Sequence, residues 1–296
     1  MHIFITGGSG FVGSAIIKEL IRAGHEVTGL ARSEGASKIL MEAGAKIHMG
    51  RLEDLEGLSK AVEKADGVIH TAFNHDFSNF KANCEIDRQV ILSIGRALAA
   101  SDRPFVITSA IGVLQKGRVT EETLLDYGPE GHLRGASEAA ADLVVKMGVK
   151  ASVIRLAPTV HGEKDHNFIP SLIQLAKAKG VSGYIGEGEN CWPAVHRDDV
   201  ASLYRLVLEK GKAGDRFHAV AEEGIPFREI ALAIGKGLNM PVIRISMEKA
   251  SEHFGWFANF AQLDISASSK ITREKLGWQP TGVGLIQELG MSHYFI

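Results

Sequence analysis

One short stretch constrains this chain more than any other. The apolar run His2–Thr6 leads without a break into Gly7-Gly8-Ser9-Gly10-Phe11-Val12-Gly13, and an amphipathic pattern over residues 11–23 follows. Each of three evenly spaced glycines meets a different need. Gly7 permits the tight turn, Gly10 lets the backbone come close to a pyrophosphate, and Gly13 brings helix and strand together. The helix start beyond them offers unpaired N–H groups and a partial positive charge. A bare glycine triplet says little. A strand before it and a helix after it make it a dinucleotide-binding turn.

The residues that follow keep alternating. Apolar runs at 25–31, 46–49, 67–71, 104–108 and 151–156 read as strands, separated by helical patterns at 35–43, 53–64, 79–100 and 131–148. Short apolar strands bounded by helices are the mark of a parallel sheet covered on both faces. Right-handed crossovers then predict a doubly wound α/β fold of Rossmann type. After Pro158 the alternation weakens. Residues 169–179, 198–209, 227–235 and 247–257 read as helices, with strands near 217–220 and 242–245. No Pro-, Ser- or charge-rich linker divides the chain. The expectation is a dinucleotide-binding domain over residues 1–160 and a smaller α/β substrate cap over 161–296, with segments of the latter returning to the core. The cleft between them is the expected ligand site.

The end of the second strand carries the next determinant. A site that prefers NAD places Asp or Glu there to accept from the ribose hydroxyls. Here the sequence reads Gly29-Leu30-Ala31-Arg32-Ser33. No acid is present, and Arg32 with Ser33 can bind a 2′-phosphate by charge-assisted hydrogen bonds. The expected cofactor is therefore NADP, with NAD as the alternative; a solvated surface arginine is the plainer reading of Arg32.

Composition excludes several other classes. Lys and Arg number 33 against 35 Asp and Glu, a formal net charge of −2, so no basic excess suggests nucleic acid. Hydrophobic residues make up 45% of the 296, which excludes disorder. No apolar run approaches the roughly 20 residues that span a bilayer. Cys84 and Cys191 lack CxxC spacing and read as free thiols of a reducing compartment. Without a basic leader ahead of the first strand, the expected location is the cytoplasm.

With these residues in view, the chain resembles an extended short-chain dehydrogenase/reductase over essentially its whole length. Thr6–Gly13 matches that family's TGxxGxxG. Gly67-Val68-Ile69-His70-Thr71-Ala72 resembles its fourth strand, and Val106-Ile107-Thr108-Ser109 its fifth, whose terminal serine is usually catalytic. The segment from Arg155 to Gly162 resembles the one lining the nicotinamide; Val195–Ala201 and Leu276–Pro280 resemble VHVDDVA and LGWxP. The resemblance implies cofactor contacts from Gly7, Ser9, Gly10, Phe11, Val12, Gly13, Arg32, Ser33, Leu52, Thr71, Ala72, Phe73, Pro158, Thr159 and Val160. One departure matters. The family's acid is the Tyr of YxxxK, and no YxxxK exists here. Placing Glu138 on the family's downstream Glu puts His132 at the Tyr and Ala136 at the Lys. Tyr127, the nearest tyrosine, is followed by Gly131 four residues on.

Histidine is the best substitute acid, since its ordinary pKa of about 6.5 suits proton transfer near neutrality. The catalytic expectation is Ser109 and His132 flanking the reacting carbonyl. Arg134 reads either as an anion contact or as a surface arginine, and Trp192 as a stacking platform or a packing residue. Two polar clusters, His70/His75/Asp76 and His161/Asp165/His166, lack metal-ligand spacing, so no metal is expected. Three functions stay open: an NADP(H)-dependent oxidoreductase of a small carbonyl or alcohol, an epimerase, isomerase or dehydratase using transient hydride transfer, and a non-catalytic dinucleotide sensor. A small-molecule substrate is the expected partner. Ala136, Ala139, Ala140, Leu143, Val144 and Met147 give the last Rossmann helix an apolar surface wide enough to suggest a homodimer.

Overall fold

The computed structural model describes residues 1–114, 117–127 and 131–295. The first part alternates strand and helix: β1 (His2–Thr6), α1 (Phe11–Arg22), β2 (Glu26–Ala31), α2 (Glu34–Glu42), β3 (Lys46–Met49), α3 (Leu55–Glu63), β4 (Gly67–His70), α4 (Phe80–Leu98) and β5 (Pro104–Ala110). Next come β6 (Gly117–Val119), α5 (Ala136–Lys146), β7 (Lys150–Leu156), β8 (Thr159–His161), α6 (Phe168–Lys179) and β9 (Ser182–Ile185). The rest includes β10 (Cys191–His196), α7 (Arg197–Lys210), β11 (Arg216–Ala219), β12 (Glu222–Pro226), α8 (Phe227–Leu238), β13 (Val242–Ile245) and β14 (Ile265–Ala267).

The central sheet has seven strands in the order β11-β7-β5-β4-β1-β2-β3, every pairing parallel. The sequence order reverses at β1, with β2 on one side and β4 on the other. A crevice therefore opens above the carboxyl ends of these strands, where ligands of open α/β sheets bind. Two hydrophobic layers cover the sheet. On one face Ile3, Ile5, Val106 and Ile154 pack with α1 and α7; on the other Phe4, Val68, Phe105 and Ile107 pack with α4 and α5. Both layers follow from the two-residue period of a strand.

The edge strand β11 and helix α7 come from the second half of the chain. Much of the rest of that half forms its own core of Trp192, Phe227, Phe254 and Phe257 with Ile169 and Leu172, while Val195, Ile265, Ala267, Leu276 and Trp278 return to the core of the sheet. Two helical expectations need correction. The stretch 131–148 is helical only from Ala136, because residues 133–135 form a 3-10 turn capped by His132. Residues 247–257 break into Met247–Lys249, Ala250–Phe254 and Gly255–Phe257, the last break falling where Gly255 takes a positive φ of 54°. The short strands β8 and β10 escaped the periodicity argument because three to six residues carry too little pattern. Among the described residues no helix is long and apolar enough to cross a membrane.

Candidate dinucleotide and active site

The glycine turn is built around contacts that leave no room for a side chain. Gly7 has φ +73°, and a Cβ there would lie 2.6 Å from the Ala72 nitrogen. A Cβ on Gly13 would fall 2.1 Å from the Gly7 carbonyl oxygen. The Gly10 N–H closes the turn on that same oxygen at 3.0 Å. Helix α1 then starts without a side-chain cap and without an acid in its first turn. Its positive end is left to an anion, so the residues present fit a pyrophosphate. Phe11 is buried, its ring under the Arg197 guanidinium at 5.0 Å and edge-on to His166 at 5.9 Å. A groove of 610 Å³ runs from Ser9 and Gly10 along α1, between Lys18 and Lys164. Val12 is half-buried behind the turn.

At the end of β2, Ala31 is fully buried and Arg32 exposed. Ser33 is partly spent on structure, since its hydroxyl oxygen accepts from the Ala36 N–H at 3.2 Å and caps α2. Leu52 sits half-buried in the turn after β3 and packs on the core beneath β4. Thr71 bonds back to the Thr6 carbonyl at 2.8 Å, which holds residues 71–73 against the glycine turn.

Beneath this turn lies a polar chain that sequence reasoning did not assemble. The Thr6 hydroxyl meets His70 Nδ1 at 2.6 Å, and His70 Nε2 meets Asp87 Oδ1 at 3.0 Å. The carboxylate only accepts, so a neutral His70 donates from Nε2 and accepts from Thr6. The other Asp87 oxygen takes Arg134 Nη1 at 2.8 Å and the Ser137 hydroxyl. Burial alone would raise the Asp87 carboxyl, but the Arg134 charge and the His70 and Ser137 bonds outweigh it and hold it below the usual range. Arg134 Nη2 also reaches the Thr108 carbonyl at 3.3 Å, and its guanidinium lies 4.1 Å over the Phe73 ring. The surface-arginine reading of Arg134 is thus overturned: the residue is 8% exposed. Asp87 had one visible signal, a carboxylate on the otherwise apolar α4 stripe that continues through Val90, Ile91 and Ile94.

The two expected catalytic residues are placed differently. His132 stands exposed at the rim, edge-on to Phe80, which in turn packs on Phe73. Its Nδ1 accepts from the Arg134 N–H at 3.2 Å, so a neutral ring carries its proton on Nε2. Partial burial and the Arg134 charge lower its pKa. Ser109 is 3% exposed on the face of β5 that meets α5. Its hydroxyl stands beside the Glu138 carboxylate, which it helps keep charged, without a well-aligned hydrogen bond of its own. Glu138 is held by Arg155 through two bonds of 2.9 and 2.8 Å. The structure therefore gathers His132, Arg134 and Phe73 at one rim and sends Ser109 under α5.

On the far side, Pro158 is half-buried, and Thr159 and Val160 are buried on β8. His161 pairs through Nδ1 with Glu288, which His196 and His293 also approach at 3.7 and 3.6 Å. Tyr127 donates to Asp142 at 2.9 Å; burial and that carboxylate push its pKa up to about 12. Trp192 is fully buried in the cap core with its N–H on the Leu263 carbonyl at 3.2 Å, so it packs and does not stack on a ligand. Among the described residues no group of three or more His, Cys, Asp or Glu is arranged to hold a metal.

A parallel seven-stranded sheet with a glycine-cradled helix start at its switch point defines a Rossmann-type dinucleotide-binding protein. Residues 3–220 match the NAD dependent epimerase/dehydratase family, and the chain belongs to it. An uncharacterized protein of Schizosaccharomyces pombe is 48% identical over 295 residues, covering 100% of both chains. The sterol-4-alpha-carboxylate 3-dehydrogenase, decarboxylating, of Dictyostelium discoideum is 32% identical over 246 residues, 77% of this chain and 74% of that one. The fold is similar to that of DesIV, a dTDP-glucose 4,6-dehydratase from Streptomyces venezuelae, with a TM-score of 0.78 at 20% identity over 100% of this chain and 97% of that one.

Proposed function

We propose that the protein is an NADP(H)-dependent oxidoreductase of a small carbonyl or alcohol. The observation that carries the cofactor preference is the pair Ala31 and Arg32 at the end of β2: no carboxylate stands there to take ribose hydroxyls, and the exposed guanidinium has no ion-pair or hydrogen-bond partner among the described residues. An Arg–phosphate contact contributes roughly 1.5–3 kcal/mol, or about tenfold to a hundredfold in affinity. The relative named as a 3-dehydrogenase supports net redox chemistry, while the match to the NAD dependent epimerase/dehydratase family supports the epimerase or dehydratase alternative.

In this reading the nicotinamide supplies or accepts the hydride, and the chain's own residues manage the oxygen. His132 Nε2 carries the proton of the neutral ring and makes no hydrogen bond among the described residues, so it is the nitrogen that donates toward a developing alkoxide. Ser109, buried beside the Glu138 carboxylate under α5, is given no part in proton transfer in this reading. A homodimer is part of the proposal, with one amendment: Ala140 and Val144 are buried within the chain, so the outward stripe of α5 is Leu143 and Met147, 42% and 43% exposed.

Calorimetric titration with NADPH, NADH and 2′,5′-ADP tests the cofactor preference. Tighter NADPH binding that Arg32→Ala removes is expected; equal affinities in the unmodified protein overturn it. Net NADPH consumption against a carbonyl panel separates the oxidoreductase from an epimerase, which would consume none. Light scattering showing a monomer would reject the dimer.

A further inference from the structure

The reversal of strand order at β1 divides the crevice in two. Arg32 follows β2 on one side, while Phe73 follows β4 and Thr108 lies near the end of β5 on the other. A dinucleotide lying across the reversal has its adenosine half over β2 and its nicotinamide half over β4 and β5. Arg134 spans that second side, its guanidinium on the Phe73 ring and bonded to the Thr108 carbonyl.

We infer that Arg134, anchored by Asp87, donates hydrogen bonds to the ribose hydroxyls of the nicotinamide half of the bound cofactor. Two facts decide what this guanidinium can hold. Its bonds within the described residues use one N–H on Asp87 and one on Thr108, leaving three of five donors without an acceptor among those residues. Its charge is already balanced by Asp87, which disfavours a free anion and suits neutral oxygen acceptors. The anchor is rigid, because the other Asp87 oxygen is tied through His70 to Thr6, the residue before the glycine turn. Asp87 and His70 are thus positioning residues that place the donor of one cofactor half relative to the cradle of its pyrophosphate.

The inference rests on the proposed nicotinamide cofactor, and its test separates the two. NADPH and 2′,5′-ADP, which lacks the nicotinamide half, are titrated into the unmodified protein, Arg134→Lys and the double variant Asp87→Asn/Arg134→Gln. The double variant removes both buried charges, so neither is left uncompensated if the single variant fails to fold. NADPH affinity is expected to fall about tenfold, the loss of one to two hydrogen bonds, while 2′,5′-ADP affinity stays unchanged. An equal loss on both ligands makes Arg134 merely structural and overturns the inference, as does no loss on either. Should the unmodified protein prefer NADH, the cofactor preference fails, and the same comparison with NADH and ADP still decides the role of Arg134.

Discussion

Arg155 and Glu138 face one another with both side chains at 0% exposure, Nη2 standing 2.8 Å from Oε2. The pair joins β7 to α5 directly under Ser109. Arg155 also donates to the Thr123 carbonyl at 3.0 Å, and Arg216 adds a second cation on Glu138 at 3.2 Å. Removing one partner strands the other charge. Arg155→Met is therefore expected to lose about 3–5 kcal/mol of stability. Urea unfolding measures it; a loss below about 1 kcal/mol would show that Arg216 alone suffices to pair Glu138.

Gly13→Ala attacks the cradle itself. The obstacle to the new methyl is the backbone carbonyl of Gly7, 2.1 Å away, so no rotamer change relieves it. The turn must open, at a cost on the order of 1–3 kcal/mol. Dinucleotide binding should fall below detection by calorimetry while circular dichroism still reports a folded sheet. Retained affinity in a folded variant would contradict the close approach.

His218 sets an acid limit to stability. Burial, reinforced by the Arg155 charge, lowers its pKa from 6.5 to about 4. Its Nδ1–H donates to the Ser268 carbonyl at 2.8 Å, so the folded state holds the neutral ring. The unfolded chain takes up a proton below about pH 6.5 and the folded one does not, so this contribution is complete above 6.5 and lost as pH falls toward 4. The loss amounts to about 3 kcal/mol over that window. His218→Asn keeps a donor at the Nδ1 position and removes the titration. Urea midpoints between pH 7 and 4.5 should fall less steeply in the variant; parallel slopes would assign the acid limb to other groups.

Tyr127 and His132 are separable as proton donors. The tyrosine hydroxyl is engaged by Asp142 and lies beside Arg216 at 3.4 Å, with its pKa near 12. Tyr127→Phe should leave turnover within about twofold, whereas His132→Ala should lower kcat by about 10²-fold or more. The opposite ranking would transfer the donor role to Tyr127.

What the sequence determined by itself is local. The glycine turn, each strand and helix of the alternation, the missing acid beside Arg32 and the missing YxxxK are each read from a few neighbouring residues, where backbone geometry ties spacing to shape. The tertiary structure decided the rest. Arg134 and Asp87 are 47 residues apart, and His161 and Glu288 are 127 apart. No periodicity links such positions. They meet because α4 and α5 pack on the same face of the sheet, and because the chain returns after the cap to lay the helix Leu285–Leu289 beside β8. The same packing sends Ser109 under α5 and draws Arg134 inside, since a buried guanidinium must sit where a carboxylate can meet it.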